Sequence, residues 1–162
     1  MPNPSLSLHL LPRILLNRSW LSAVLVASVV AVDLASKWLV TTLLHGAVNA
    51  GGLLSLMASS NSGIGFSAMR GQTVAVLLLS IVALLFCARL LTRVQTNVAL
   101  VALALIVGGG LSNLLDRALH GGQVTDFVGV SSWFVCNGAD IAISLGVVLL
   151  IVSSCTGRKV LR

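Results

Sequence analysis

The chain has 162 residues, enough for about one domain of ordinary size, and 57% of them are apolar. Only 9% of the residues are charged, whereas about 25% is typical of soluble domains, so this is the composition of a membrane protein. Four aspartates are the only acidic residues, against ten Lys and Arg. Without glutamate the protein has neither an H-E-x-x-H zinc site nor a glutamate general base, which excludes several enzyme classes.

The basic residues do not indicate nucleic acid as a partner, although the net charge is +6 at pH 7. They are spread between apolar segments and form no patch interleaved with aromatic side chains. The three cysteines, Cys87, Cys136 and Cys155, are odd in number and have no C-x-x-C spacing. We therefore predict neither a disulfide framework nor a zinc site, and we expect no metal or other cofactor.

Four apolar segments are long enough to cross about 30 Å of hydrocarbon as helices. The first contains Asp33 and Lys37 and is too long for the apolar part of a cleavable signal peptide, so we expect a permanent span. The predicted fold class is an all-α integral membrane protein of one domain, residues 1–162. Its predicted transmembrane helices comprise residues 20–44, 73–91, 97–115 and 139–155.

Two long loops, residues 45–72 and 116–138, connect these spans on one side of the membrane. The first is rich in glycine, which favours turns and short strands. The second contains V-T-D-F-V-G-V, which is strand-like or re-entrant.

The basic residues also predict the orientation of the spans. One side carries only Arg70 and Arg117, whereas the other carries seven basic residues. Since cytoplasmic loops are enriched in Lys and Arg, both termini should be cytoplasmic and both long loops outside. The seven are Arg13, Arg18, Arg89, Arg93, Arg158, Lys159 and Arg162.

Asp33 and Lys37 are charged residues within the first span. A charge at mid-membrane costs about 2.5–3.5 kcal/mol, so each needs a partner or a function. Their spacing of four residues places both on one helix face in the favourable order, which predicts a structural ion pair. The alternative is a small transporter or proton-conducting bundle that titrates this pair, but the chain offers no inverted repeat to support it.

Polar residues also collect at the outer end of the third span. Gly109, Asn113, Asp116 and Arg117 share one helical stripe, and Gly108 to Gly110 would let a neighbouring helix approach closely. Taken alone, these polar residues are also explained as marking the water boundary.

Asp126 and Asp140 follow on the same outer side, so polar groups converge there. Asn137 is a candidate N-cap with Asp140 three residues later. Because a helix N-terminus favours an ionised acid, we expect Asp140 to be the more acidic of the two. Two adjacent carboxyls that share one proton are the chemistry of an aspartic protease.

Five motifs, in this order, resemble those of bacterial lipoprotein signal peptidase, or signal peptidase II, over about residues 20 to 155. They are D-L-A-S-K (33–37), N-S-G-I-G-F (61–66), G-G-G-L-S-N-L-L-D-R (108–117), V-T-D-F (124–127) and N-G-A-D (137–140). The family pattern differs at Leu34, Ser112 and Cys136, where Gln, Gly and Phe are usual.

The resemblance implies an intramembrane aspartyl endopeptidase with Asp126 and Asp140 as its catalytic pair. It would cleave diacylglyceryl-modified prolipoproteins immediately before the lipidated cysteine. It further implies that six residues orient the pair or bind substrate: Asn61, Gly63, Asn113, Asp116, Arg117 and Asn137.

The resemblance also implies a location in the bacterial inner membrane, with a small β-cradle on its outer face and the active site towards the periplasm. The expected partners are lipid-modified prolipoproteins and membrane phospholipid. Since no oligomer interface is evident, we expect a monomer. A rival interpretation is an intramembrane serine protease with Ser112 as nucleophile and His120 as base.

Overall fold

The computed structural model describes residues 18–44, 46, 48–49, 53–61, 73–131 and 133–155. In this part of the chain the predicted four apolar helices are confirmed, and a small antiparallel sheet accompanies them. In chain order the elements are α1 (Arg18–Leu43), β1 (Val48–Asn49), β2 (Leu54–Asn61), α2 (Thr73–Leu91), α3 (Asn97–Leu119), β3 (Val124–Val130), β4 (Phe134–Cys136) and α4 (Gly138–Cys155).

All four helices are long and apolar enough to cross a membrane. Helix α3 lies at the centre, packed against α1, α2 and α4, and contains most of the buried apolar side chains. The outer helices expose large apolar side chains, as expected of surfaces that face lipid. Examples are Val32 and Trp38 on α1, Val82 and Phe86 on α2, and Val148 and Ile151 on α4.

Glycines bring the helices around α3 into close contact. A Cβ atom added to Gly109 would lie 2.5 Å from the carbonyl oxygen of Ala139 in α4, and one added to Gly108 would lie 2.7 Å from Cβ of Val29 in α1. The predicted close approach is therefore confirmed at these two glycines. At Gly110 the nearest atom to such a Cβ is a Leu84 methyl carbon at 3.4 Å, an ordinary contact.

The helices run so that the start of α1 meets the turn between α2 and α3. Arg18 Nη2 donates to Asn97 Oδ1 over 2.8 Å at this end of the molecule. The first turn of α4 and the sheet lie at the opposite end, where α3 extends to Leu119, four residues beyond the predicted span.

The sheet has the strand order β1-β2-β3-β4, with every neighbouring pair antiparallel. The segment V-T-D-F-V-G-V, for which the sequence allowed either a strand or a re-entrant run, forms strand β3. In the pairing of β2 with β3, Ser59 lies opposite Asp126 and Asn61 opposite Val124. Asn61 and Asp126 are thus diagonal neighbours, close enough for their side chains to interact.

Candidate active site

Asp126 lies on β3 and is almost completely buried. Each of its carboxyl oxygens accepts a hydrogen bond from an asparagine amide. Asn137 Nδ2 donates to Oδ1 over 2.7 Å, and Asn61 Nδ2 donates to Oδ2 over 3.0 Å. Two neutral donors therefore fix the orientation of this carboxyl without placing a cation in direct contact with it.

Asp140 is held in the first turn of α4 by the predicted N-cap. The backbone N–H of Asp140 donates to Asn137 Oδ1 over 2.9 Å, and the backbone N–H of Asn137 donates back to Asp140 Oδ2 over 3.3 Å. This reciprocal pair is a capping box with Asp in the third position. Asn113 Nδ2 donates to the other carboxyl oxygen, Oδ1, over 2.9 Å.

The two carboxyl groups are therefore joined through shared asparagines. Asn137 contacts both Asp126 and Asp140, and its Nδ2 also lies 3.2 Å from Asn113 Oδ1. Burial raises the pKa of the Asp126 carboxyl, the hydrogen bond from Asn61 lowers it in part, and the negative charge of Asp140 raises it again. Two buried carboxyls that act on one another in this way can share one proton.

Lys37 is linked to Asp140 through Asn113 and donates to three buried acceptors. Its Nζ lies 2.8 Å from Asp33 Oδ2, 2.9 Å from Asn113 Oδ1 and 3.2 Å from Asp116 Oδ2. The structure thus contains the Asp33–Lys37 contact expected from their spacing. Asp116 is a second carboxylate partner of Lys37, which the spacing of the residues in the sequence does not predict. Lys37 also fixes the orientation of the Asn113 amide, because its ammonium holds the carbonyl end.

Asp116 joins α3 to the strand that carries Asp126. Its Oδ2 accepts the backbone N–H of Thr125 over 2.7 Å, and its Oδ1 lies 2.7 Å from Nδ1 of the exposed His120. Thr125 makes this bond with its backbone N–H, so the identity of its side chain in the sequence does not predict the contact. Asp116 thereby fixes the residue immediately before Asp126.

Arg117 lies on the same end of α3, buried, with Nη1 3.4 Å from the carbonyl oxygen of Asn113. It borders the same cavity as both aspartates. Of the expected site residues, Gly63 lies outside the described part of the chain.

The geometry does not support the serine protease interpretation. Ser112 is fully buried, and its hydroxyl donates to Asp33 Oδ2 over 2.7 Å. The ring of His120 contacts Asp116 instead. Ser112 and His120 therefore do not form the nucleophile–base pair of that interpretation. The geometry does not support the transporter interpretation either, because the ammonium group of Lys37 is bonded to three buried acceptors.

A cavity of about 910 Å³ opens beside the two aspartates, between α2, α3, α4 and the sheet. Its polar end is formed by the aspartates with Asn61, Asn113 and Arg117. Most of its remaining wall is apolar: Ala83, Leu84, Ile106, Val124, Val128, Val130, Phe134, Val135, Ile141, Ile143, Leu145 and Val148. Among the described residues, no group of three His, Cys, Asp or Glu side chains is placed to hold a metal ion.

Two solved bacterial membrane enzymes, both determined by the in meso method, share this fold. One, at 2.3 Å resolution, superposes with a TM-score of 0.77 at 22% identity and covers 85% of this chain and 88% of its own. The other, at 1.9 Å resolution, gives 0.72 at 24% identity and covers 83% and 92%. These likenesses concern the fold.

The two sequence relatives described next carry the same name, lipoprotein signal peptidase. A lipoprotein signal peptidase from Methylocella silvestris is 36% identical over 148 residues, covering 83% of this chain and 85% of the relative. One from Caldicellulosiruptor bescii is 37% identical over 100 residues, covering 62% and 66%. Residues 25–156 match the family described as Signal peptidase (SPase) II. The chain therefore belongs to the signal peptidase II family.

Proposed function

We propose that this chain removes signal peptides from diacylglyceryl-modified prolipoproteins, cutting immediately before the lipidated cysteine, with Asp126 and Asp140 as the catalytic pair. As a family member with four membrane-length helices, it is a multi-pass membrane protease of the aspartic type. One observation carries the assignment of the pair. Both carboxyls are held by asparagine amides at the polar end of one apolar cavity.

The proposed chemistry needs one proton on the pair. Asp126, whose pKa is raised, carries it and donates a hydrogen bond to the scissile carbonyl oxygen. Ionised Asp140, stabilised by the N-terminus of α4, takes a proton from a water molecule that attacks the carbonyl carbon. The tetrahedral intermediate collapses when Asp140 gives the proton taken from water to the amide nitrogen and the C–N bond breaks, which restores ionised Asp140. This leaves a carboxyl on the signal peptide and a free amine on the lipidated cysteine.

The cavity supports a lipid-modified peptide as the substrate. Its apolar walls suit the end of an apolar signal peptide and the acyl chains on the cysteine, while its polar end suits the scissile amide. In the proposed orientation both termini are cytoplasmic, and the sheet and the aspartates lie at the periplasmic face of the inner membrane. The contact of Arg18 with Asn97 supports it, because it places Arg18 beside the turn between α2 and α3, which Arg89 and Arg93 flank, at the end opposite the aspartates. We expect a monomer in contact with membrane phospholipid.

The experiment is cleavage of a synthetic prolipoprotein by the full chain in lipid bicelles. One substrate carries the diacylglyceryl group on cysteine, and the control carries an unmodified cysteine in the same sequence. We expect a single cut before the modified cysteine, identified by mass spectrometry, and a rate at least tenfold lower for the control. Equal cleavage of both peptides would contradict the proposed lipid requirement, and no cleavage of either would contradict the function.

A further inference from the structure

Ser112 is fully buried, and its hydroxyl takes no part in the proposed reaction. It lies on α3 one residue before Asn113. Its Oγ donates to Asp33 Oδ2 over 2.7 Å, joining α3 to α1.

Asp33 is the junction through which Ser112 reaches the site. Its Oδ2 accepts from both Ser112 and Lys37, while its Oδ1 accepts the backbone N–H of Ala139 over 2.7 Å. Ala139 is the second residue of α4 and the one before Asp140. The carboxylate thus satisfies one of the free N–H groups at the positive end of α4.

The approach of Asp33 to α4 is close and depends on Gly138. A Cβ atom added to Gly138 would lie 2.9 Å from Asp33 Oδ1. A small shift of the carboxylate therefore moves the backbone at the start of α4 or loses the bond to Ala139. Two donors on Oδ2 hold the carboxylate against rotation and keep Oδ1 aimed at that N–H.

We infer that Ser112 is a positioning residue for Asp140, acting through the carboxylate of Asp33 and the first turn of α4. Helix α3 then holds Asp140 in two ways: Asn113 bonds its carboxyl directly, and Ser112 fixes the backbone that carries it. A reacting group displaced by a fraction of an ångström loses rate while substrate binding is little changed. This inference rests on the proposed function for its effect on rate, and on the structure alone for its effect on α4.

The test compares Ser112→Ala and Ser112→Gly, which remove the hydroxyl, with Ser112→Thr, which retains it. Ser36→Ala is the matched control, because the half-buried Ser36 hydroxyl on α1 donates to the carbonyl oxygen of Val32 within its own helix. Two quantities are measured on the full chain in bicelles. They are the hydrogen exchange rate of the Ala139 and Asp140 amides by NMR, and kcat and KM on the diacylglyceryl peptide.

We expect Ser112→Ala and Ser112→Gly to speed exchange at Ala139 and Asp140 and to lower kcat about fivefold, with KM within about twofold, the scale of one hydrogen bond. Ser112→Thr keeps the hydroxyl but adds a buried methyl group, so it should lose less than Ser112→Ala and Ser112→Gly, and Ser36→Ala should change nothing. If Ser112→Ala fails to fold, Ser112→Gly is measured in its place, because it also removes the hydroxyl.

Unchanged exchange in Ser112→Ala, an unchanged kcat, or an equal loss in Ser112→Thr would each overturn the inference. A loss of a thousandfold or more would also overturn it, because that is the scale of a missing nucleophile. If the wild-type chain cleaves no prolipoprotein, the proposed function fails, but the exchange rates still show whether Ser112 orders α4.

Discussion

The side-chain amide nitrogen of Asn137 lies 2.7 Å from Oδ1 of Asp126. The carbonyl oxygen of the same side chain accepts the backbone N–H of Asp140 over 2.9 Å, so Asn137 also caps α4. One buried side chain thus relates the strand that carries one carboxyl to the helix that carries the other.

Replacing Asn137 should therefore affect both stability and rate. Asn137→Ala removes an N-cap, which costs about 1 kcal/mol, and releases Asp126, which should lower kcat about a hundredfold. Thr96→Ala is the control, because Thr96 caps α3 at the other end of the molecule by accepting from Ala99 N. Thermal unfolding should show a loss for both variants, and a larger one for Asn137→Ala, because the buried Asp126 and Asn113 oxygens also lose a donor. A fall in kcat of similar size in both would contradict the special role of Asn137.

The pH dependence should respond to Asn61. Its hydrogen bond to Asp126 favours the ionised carboxyl and so lowers a pKa that burial has raised. Asn61→Ala removes that effect, so the pKa of Asp126 rises further and the carboxyl keeps its proton to higher pH. Because the reaction needs this proton, the alkaline limb of the kcat profile should move to higher pH. Ser60→Ala, an exposed neighbour on β2, is the control, and movement of the limb to lower pH would refute the assignment.

Gly109 and Gly110 of α3 allow a matched test of how tightly α3 packs against α4. Gly109→Ala places a methyl group against the carbonyl of Ala139, and backbone cannot move aside as a side chain does. We expect a loss of about 1–3 kcal/mol in unfolding free energy and a fall in kcat, since Asp140 follows Ala139. Gly110→Ala meets only a Leu84 methyl and should cost little stability. Equal stabilities for the two variants would show that α3 and α4 are less tightly packed than described.

Lys37 should matter more to folding than Asp33 does. Asp33→Asn leaves Lys37 with Asp116 and Asn113, and we expect a loss of about 3 kcal/mol in unfolding free energy, the lower end for a broken buried pair. Lys37→Met leaves two buried carboxylates, Asp33 and Asp116, without their shared cation, and should cost more. Denaturant titration in mixed micelles measures both. A smaller loss for Lys37→Met would mean that Asp116 does not depend on this cation.

The sequence predicted the features that depend on short spacings. The helices follow from the length of apolar segments, the Asp33–Lys37 contact from a spacing of four residues, and the cap of α4 from Asn137 and Asp140. The contacts of Asp33 with Ser112 and of Lys37 with Asp116 are not predictable in this way. They join α1 to α3 across almost eighty residues and depend on how each helix is rotated about its axis.

The central claim is that Asp126 and Asp140 both take part in peptide hydrolysis. The most direct test is single-turnover cleavage of the diacylglyceryl peptide by Asp126→Asn and Asp140→Asn, with folding checked by thermal unfolding and substrate binding measured separately. Asparagine keeps the shape of each side chain but can neither supply the shared proton nor accept one from water. We expect both variants to fold and bind the peptide and to lose at least a thousandfold in cleavage rate. Cleavage within tenfold of the wild type in either folded variant would contradict the account.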